Sequence, residues 1–298
     1  MNAYGITTPF ALDRGQLVLA ALSQELGRKL HGLTPRPLTL SELRLAHTEA
    51  YLASLSRAEV WSDIFGLQYQ ATHPVATRLL PELLNDFRLK SGGTLLAAKL
   101  ALKHGLAANL GAGYHHAWAD KGEGFCAIND IAIAIRALQQ CGAIKRALVV
   151  DVDFHQGNGT AAIFAGDPSV VTLSVHSAEA WPHEKQKSTI DVPIRCNESA
   201  QYLPRLKAAL ELALAQFKPD LCIFVQGSDA YEKDAATGGR LMKLTLEQLR
   251  QRDEYVIDTL ADRGIATALV FSGGYGPDAW RVHFNAVRHL LRRAWKLT

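Results

Sequence analysis

The stretch Asp151-Val-Asp-Phe-His-Gln-Gly-Asn-Gly-Thr160 sets two carboxylates and an imidazole at alternate positions. It follows Ala147-Leu-Val-Val150, a run apolar on both faces that predicts a central strand of a parallel sheet. Alternation along an extended segment predicts Asp151, Asp153 and His155 on one face. They would stand at the carboxyl end of the strand, where open α/β sheets bind their ligands. Two converging acids are costly to bury unless a cation offsets their charge, so the chemistry open to these residues is divalent-metal binding. An aspartate capping the next helix beside an ordinary hydrogen-bonded histidine accounts for this stretch equally well. The other strand ends have to decide.

Four further predicted strands end in the same way. His115 and His116 follow 107–110, and Ser174 and His176 follow 170–173. Gln226-Gly-Ser-Asp229 follows 221–225, and Ser272-Gly-Gly-Tyr275-Gly follows 267–271. These positions hold His, Asp, Ser and Tyr between glycines, not the Lys and Glu of solvated loops. Asp153, His155 and Asp229 would give a metal three protein ligands and leave a position open for water, as catalytic sites do. The oxygen-rich set with one nitrogen points to Zn²⁺ first and Fe²⁺ second. Such an ion acidifies water and polarises a neighbouring carbonyl. The His115-His116 pair supplies a general base, and Tyr275 can donate a hydrogen bond to an oxyanion. The reaction class that needs this set is metal-assisted hydrolysis of an amide.

The elements that must position these groups alternate along the chain. Helical spacing predicts helices over 14–30, 41–47 with 48–55, 76–89 and 94–104, the last opening after Gly92-Gly93. Strands 107–110, 146–152, 170–175, 221–225 and 267–271 then interleave with helices 131–140, 160–164, 199–217, 245–262 and 278–295. Asn129 or Asp130 caps the first of these. Strand–helix alternation implies right-handed βαβ crossovers: an α/β fold with a mostly parallel central sheet flanked by helices. With no low-complexity linker and no repeat, residues 1–298 read as a single domain.

Bulk properties narrow the class. A net charge of +3 and a pI near 8.6 fall short of a dedicated nucleic-acid binder. The basic C-terminal helix (Arg281, Arg288, Arg292, Arg293, Lys296) reads as a solvated face complementing the helix dipole. Four cysteines with no CxxC pair, inside apparent helices and strands, predict reduced structural thiols and a cytoplasmic, reducing setting. There is no signal-peptide pattern at Met1 and no apolar run of membrane-spanning length.

Taken together, Gly113-Tyr-His-His-Ala117, Gly124-Phe-Cys-Ala-Ile-Asn-Asp130, Asp151-Val-Asp-Phe-His-Gln-Gly-Asn-Gly159, Ser174-Val-His176, Gly227-Ser-Asp229 and Ser272-Gly-Gly-Tyr275 resemble the zinc-dependent histone deacetylases of the arginase/deacetylase superfamily. The compact size and the His-Gln-Gly-Asn-Gly wording most resemble the class IV branch and its bacterial relatives. The resemblance implies that Asp153, His155 and Asp229 bind the metal, that His116 is the general base with His115 beside it, and that Tyr275 polarises the acyl carbonyl. It implies that Asp151 orients His115 and Asn158 orients His116. It further implies an acyl-lysine tunnel walled by Gly124, Phe125 and Trp181. A structural potassium ion is implied at Asp151, Asp153, His155, Ser174 and Val175. The implied substrate is an acyl-lysine protein or peptide, with acetylated polyamines as the small-molecule alternative and an inactive acyl-lysine binding module as a third.

Residue differences refine this picture. A second metal of the arginase kind needs carboxylates where this chain has Gly157 and Tyr231. Many family members carry a carboxylate at the position of Asn158. The neutral amide predicts a His116 that stays uncharged near pH 7. Gln226 stands where a smaller residue is usual, residues 176–190 lack the expected glycines, and the family's opening strand is not evident before Pro9.

Overall fold

The computed structural model describes residues 13–66, 80–237 and 241–295. Its centre is a six-stranded sheet of β1 (Leu106–Asn109), β2 (Ala147–Asp151), β3 (Val170–Ser177), β4 (Ile190–Ile194), β5 (Leu221–Gln226) and β6 (Ala266–Phe271). The strand order is β1-β6-β5-β2-β3-β4 and every pairing is parallel. All six carboxyl ends therefore lie along one edge of the sheet.

Alternation in the central strands divides the core in two. Val149, Ile223 and Val270 face one layer, containing α2 (Leu40–Leu43), α3 (Glu49–Ser54), α4 (Ala58–Phe65), α5 (Leu80–His104) and α6 (Asp130–Gln140). Leu148, Phe224 and Leu269 face the other, built from α1 (Arg14–Glu25), α8 (Tyr202–Gln216), α9 (Leu246–Asp262) and α10 (Ala279–Trp295). The short α7 (Asn158–Ile163) follows the β2 loop. Burial on both faces explains why the strands read as continuous apolar runs.

Four local expectations change. Helix α5 runs unbroken through Gly92-Gly93. A Cβ on Gly92 would stand 1.9 Å from the Arg36 carbonyl oxygen, and one on Gly93 would stand 2.7 Å from Asn109 Oδ1. The pair therefore serves close packing, not a helix break. Strand β4 begins where the expected 176–190 loop ends and adds a sixth strand; it contains Pro193, which an edge strand tolerates because one side of its ladder is unpaired. Cys141 and Cys196 are exposed outside regular elements, whereas Cys126 and Cys222 are buried; all four are free thiols. Helix α1 ends at Glu25 and not at 30. The stretch before Pro9, residues 76–79 and Lys296 lie outside the described residues.

The basic face of α10 is matched to acids. Arg292 lies 3.0 Å from Glu25, Arg293 meets Asp258 at 3.1 Å and also pairs with Asp262, and Arg281 meets Asp278 at 2.9 Å. Among the described residues, no helix is long and apolar enough to cross a membrane.

Candidate active site

Strand β2 ends at Asp151, so simple alternation does not carry the acid–imidazole series forward. Side-chain-to-backbone bonds fold it instead: Asp153 N–H donates to Asp151 Oδ1 at 3.0 Å, and His155 N–H to Asp153 Oδ1 at 2.9 Å. Each aspartate thus turns the chain two residues on. The next loop over in the sheet, after β5, brings Asp229, whose Oδ1 accepts the Phe154 N–H at 3.0 Å. Gly273, after β6, donates its N–H to Asp153 Oδ2 at 2.6 Å.

These turns place one ligand atom each from Asp153, His155 and Asp229 within 4.8 Å of one another. His155 Nδ1 lies 3.3 Å from Asp153 Oδ1 and 3.1 Å from Asp229 Oδ2. The second contact lacks hydrogen-bond geometry, leaving Asp229 Oδ2 a buried acceptor without a partner. Burial opposes a charged His155, yet the two carboxylates outweigh it and push its pKa up to about 10. Burial and the neighbouring Asp153 raise Asp229 to about 6. A buried pocket of negative potential with an orphaned carboxylate oxygen fits a divalent cation.

The paired histidines have opposite environments. His115 Nδ1 lies 2.7 Å from Asp151 Oδ2. Burial alone would lower His115, but Asp151 and Asp153 push it up to about 9. His116 Nδ1 instead faces the Asn158 amide oxygen at 2.7 Å. Burial, helped by the neighbouring charges of His115 and His155, holds His116 well below the usual imidazole range. Burial and the two neighbouring histidines thus favour a neutral His116 near pH 7, while the hydrogen bond to Asn158 pulls the other way. With its proton on Nδ1, directed to the amide oxygen, the Nε2 lone pair is free. Tyr275 is pushed well above its ordinary value, first by burial and then by Asp229 and Asp153. It remains a hydrogen-bond donor.

His115, His116, Asp153, His155 and Tyr275 line one cavity of about 580 Å³. Gly124 and Phe125 line it as well. Both have left-handed backbones (φ 56° and 65°), a conformation that a bulky residue such as Phe125 rarely adopts. Trp181 meets the His116 ring edge-on, with centroids 4.6 Å apart, and is 36% exposed. A Cβ on Gly124 would lie 2.7 Å from both the Trp181 and His116 rings, so only glycine fits between them. Register pairs Asp151 with Ser174 across β2 and β3, bringing two residues of the expected potassium set side by side.

Several residues support the site through contacts that the sequence does not disclose. Asp234 accepts the Tyr275 N–H at 2.7 Å. Asp130 accepts the N–H groups of Gly113 and Tyr114, at 3.0 and 2.7 Å, and so fixes the turn before His115. Buried Arg252 donates to the carbonyls of Val152 and Gly227, at 3.1 and 2.8 Å, tying the two ligand loops together. Its partner Asp253 accepts from Gln226 at 2.9 Å, which accounts for the large polar residue at 226. These contacts join residues far apart in sequence, beyond the reach of any local pattern.

A parallel α/β sheet with two acids, an imidazole and a histidine pair at its carboxyl edge defines a deacetylase-like α/β protein. The profile of the Histone deacetylase domain family matches residues 8–291, and the chain belongs to that family. An uncharacterized protein of Picosynechococcus is 44% identical over 207 residues, covering 68% of this chain and 66% of that protein. Histone deacetylase 2 of Arabidopsis thaliana is 33% identical over 256 residues, covering 85% of this chain and 65% of its own. The chain thus spans just under two thirds of these relatives' length. Among solved structures, the HDA15 HD domain aligns with a TM-score of 0.74 at 20% identity, over 97% of this chain and 85% of that one. An acetylpolyamine aminohydrolase from Burkholderia pseudomallei aligns at 0.71 and 20% identity, over 93% and 90%. These two likenesses concern the fold.

Proposed function

We propose that the chain is a zinc-dependent amide hydrolase that removes acetyl or longer acyl groups from the ε-amino group of lysine in proteins or peptides. The observation that carries this reading is the convergence of Asp229 on Asp153 and His155, which line a cavity shared with a neutral His116 and a protonated Tyr275. Asp153, His155 and Asp229 would hold the ion, which when bound supplies Lewis acidity towards water and the amide carbonyl. His116 Nε2 takes the proton of the attacking water, with Asn158 holding the ring and its tautomer. The Tyr275 hydroxyl donates to the oxygen of the tetrahedral adduct. The resulting His116 imidazolium returns its proton to the leaving lysine amine. The imidazolium of His115, paired with Asp151, supports the negative charge that develops nearby. Asp151, Asp153, His155, Ser174 and Val175 are the residues for a structural potassium ion.

The cavity also borders Leu96 and Leu100 of α5 and Leu33. Its volume and apolar side support acyl chains longer than acetyl. Gly124, Phe125 and Trp181 would flank the lysine stem. Purified protein should cleave acetyl-lysine and myristoyl-lysine peptides and lose both activities on chelation. Turnover that survives the chelator would remove the metal from the reaction. Cleavage of N-acetylspermidine but of neither peptide would move the substrate to free polyamines.

The His116–Asn158 pair gives a pH prediction. In Asn158→Asp, a carboxylate facing His116 Nδ1 favours the imidazolium and raises the His116 pKa. The base then stays protonated to higher pH, so the acidic limb of kcat against pH should move upward by at least about one unit. An unmoved limb would detach that limb from His116.

A further inference from the structure

An asparagine beside a catalytic imidazole raises a problem that an aspartate does not. Its amide has an acceptor end and a donor end of nearly the same shape, and a half-turn about the last side-chain bond exchanges them. With Oδ1 towards His116 Nδ1, the ring carries its proton there and leaves Nε2 free. With Nδ2 towards the ring, Nδ1 must accept, the proton moves to Nε2, and the ring has no lone pair for water. Something must choose between the two orientations.

Glu123 sits at the other end of the amide. Its Oε1 accepts from Asn158 Nδ2 at 2.5 Å and from Trp118 Nε1 at 2.8 Å, and its Oε2 accepts from Lys121 Nζ at 3.1 Å. The Lys121 ammonium also rests over the Trp118 ring, 4.4 Å from its centroid. A carboxylate only accepts, so it binds the NH₂ end of Asn158 and rejects the carbonyl end. The Glu123 side chain is 24% exposed, while Asn158 and His116 are buried. The order of groups is therefore His116, Asn158, Glu123, running outward from the cavity.

We propose that Glu123 is a positioning residue that locks the Asn158 amide in one orientation and so sets the His116 tautomer that can act as a base. This rests on the reading of His116 as general base in amide hydrolysis. It goes beyond that reading by assigning the choice of tautomer to a residue 35 positions from Asn158 in the chain. It also explains how a neutral amide serves where a carboxylate would need no such help: an aspartate at 158 accepts equally through either oxygen.

The test is a double-mutant comparison in the zinc-loaded protein with the acetyl-lysine peptide. Glu123→Met keeps the bulk and removes the acceptor; it should lower kcat at least about tenfold with KM held within about twofold. In an Asn158→Asp background the same substitution should cost nothing further, because no amide remains to flip. A loss of equal size in both backgrounds would show that Glu123 merely braces the 118–126 loop, and no loss in either would also overturn the proposal. Ring ¹⁵N NMR, with the His116 signal assigned from His116→Ala, reads the tautomer without any substrate. It should report Nδ1–H in the parent protein and its loss in Glu123→Met; Nδ1–H retained in the variant would sink the idea. This second readout stands even if no acyl-lysine is cleaved, so failure of the substrate reading and failure of the tautomer lock are told apart. If Glu123→Met does not fold, Glu123→Ala in the same two backgrounds carries the comparison.

Discussion

Replacing His116 with alanine should lower kcat by about 10²- to 10⁴-fold, the usual contribution of a positioned general base. Its metal content should remain that of the parent. The two halves of this expectation come from different contacts. His116 lines the same cavity as Asp153 and His155, but its Nδ1 is committed to Asn158, and it is not one of the three converging ligand residues. Its burial keeps it neutral, which is the form a base needs. His115 is the contrast, bound to Asp151 and pushed up to about 9, so near pH 7 it is already protonated and cannot take a second proton. The measurement is steady-state kinetics on the acetyl-lysine peptide beside elemental analysis of the same preparation. A variant that keeps more than about a tenth of the parent kcat would exclude His116 as the base.

The division of labour between the two histidines shows what the sequence could and could not disclose. The motif order placed His115-His116, Asp153, His155, Asp229 and Tyr275 on the carboxyl edge because each follows an apolar strand, and parallel pairing sends those ends the same way. Apolar runs buried on both faces are strong local signals, so β2, β5 and β6 were legible. Edge strand β4 was not, because Pro193 and its exposed alternate positions weaken the pattern. Gly92-Gly93 misled for a related reason. Glycine in a helix is locally unfavourable, and only the approach of Arg36 and Asn109 explains why it is there. Strand alternation does not describe the path from Asp151 to His155 either: these side chains converge through aspartate turns.

The supporting contacts were invisible for a stricter physical reason. Asp234 to Tyr275, Asp130 to Gly113 and Arg252 to Val152 each join separate elements, with the last spanning 100 residues. No periodicity records such a contact. In Arg252 the outcome is a buried cation whose charge is offset by Asp253 and which also donates to two backbone carbonyls. Those carbonyls belong to Val152 and Gly227, in the two loops that carry Asp153, His155 and Asp229. A charge pair costly to bury is thereby spent on holding the ligand loops in register.

The closeness of those loops makes Gly273 the most exacting position beside the proposed metal site. Gly273 follows β6 and donates its N–H to Asp153 Oδ2, while its carbonyl accepts from the Ser228 N–H at 2.9 Å. A Cβ at this position would stand 2.2 Å from Asp229 Oδ2 and 2.6 Å from Asp153 Oδ2. Carbon does not approach oxygen so closely without a covalent bond. Gly273→Ala must therefore push both carboxylates aside or draw the loop away and break its own hydrogen bond to Asp153. Either movement spoils the ligand geometry, and the expected result is a loss of about 10- to 100-fold or more in metal affinity. At limiting zinc kcat should collapse with occupancy, whereas at saturating zinc part of it should return, unlike the loss in His116→Ala. Zinc titration followed by competition with a chromophoric chelator reads the affinity directly, with circular dichroism to show that the sheet is intact. Parent-like zinc affinity in a folded Gly273→Ala protein would mean that Asp153 and Asp229 do not converge as tightly as drawn, and the assignment of the metal site to them would fall.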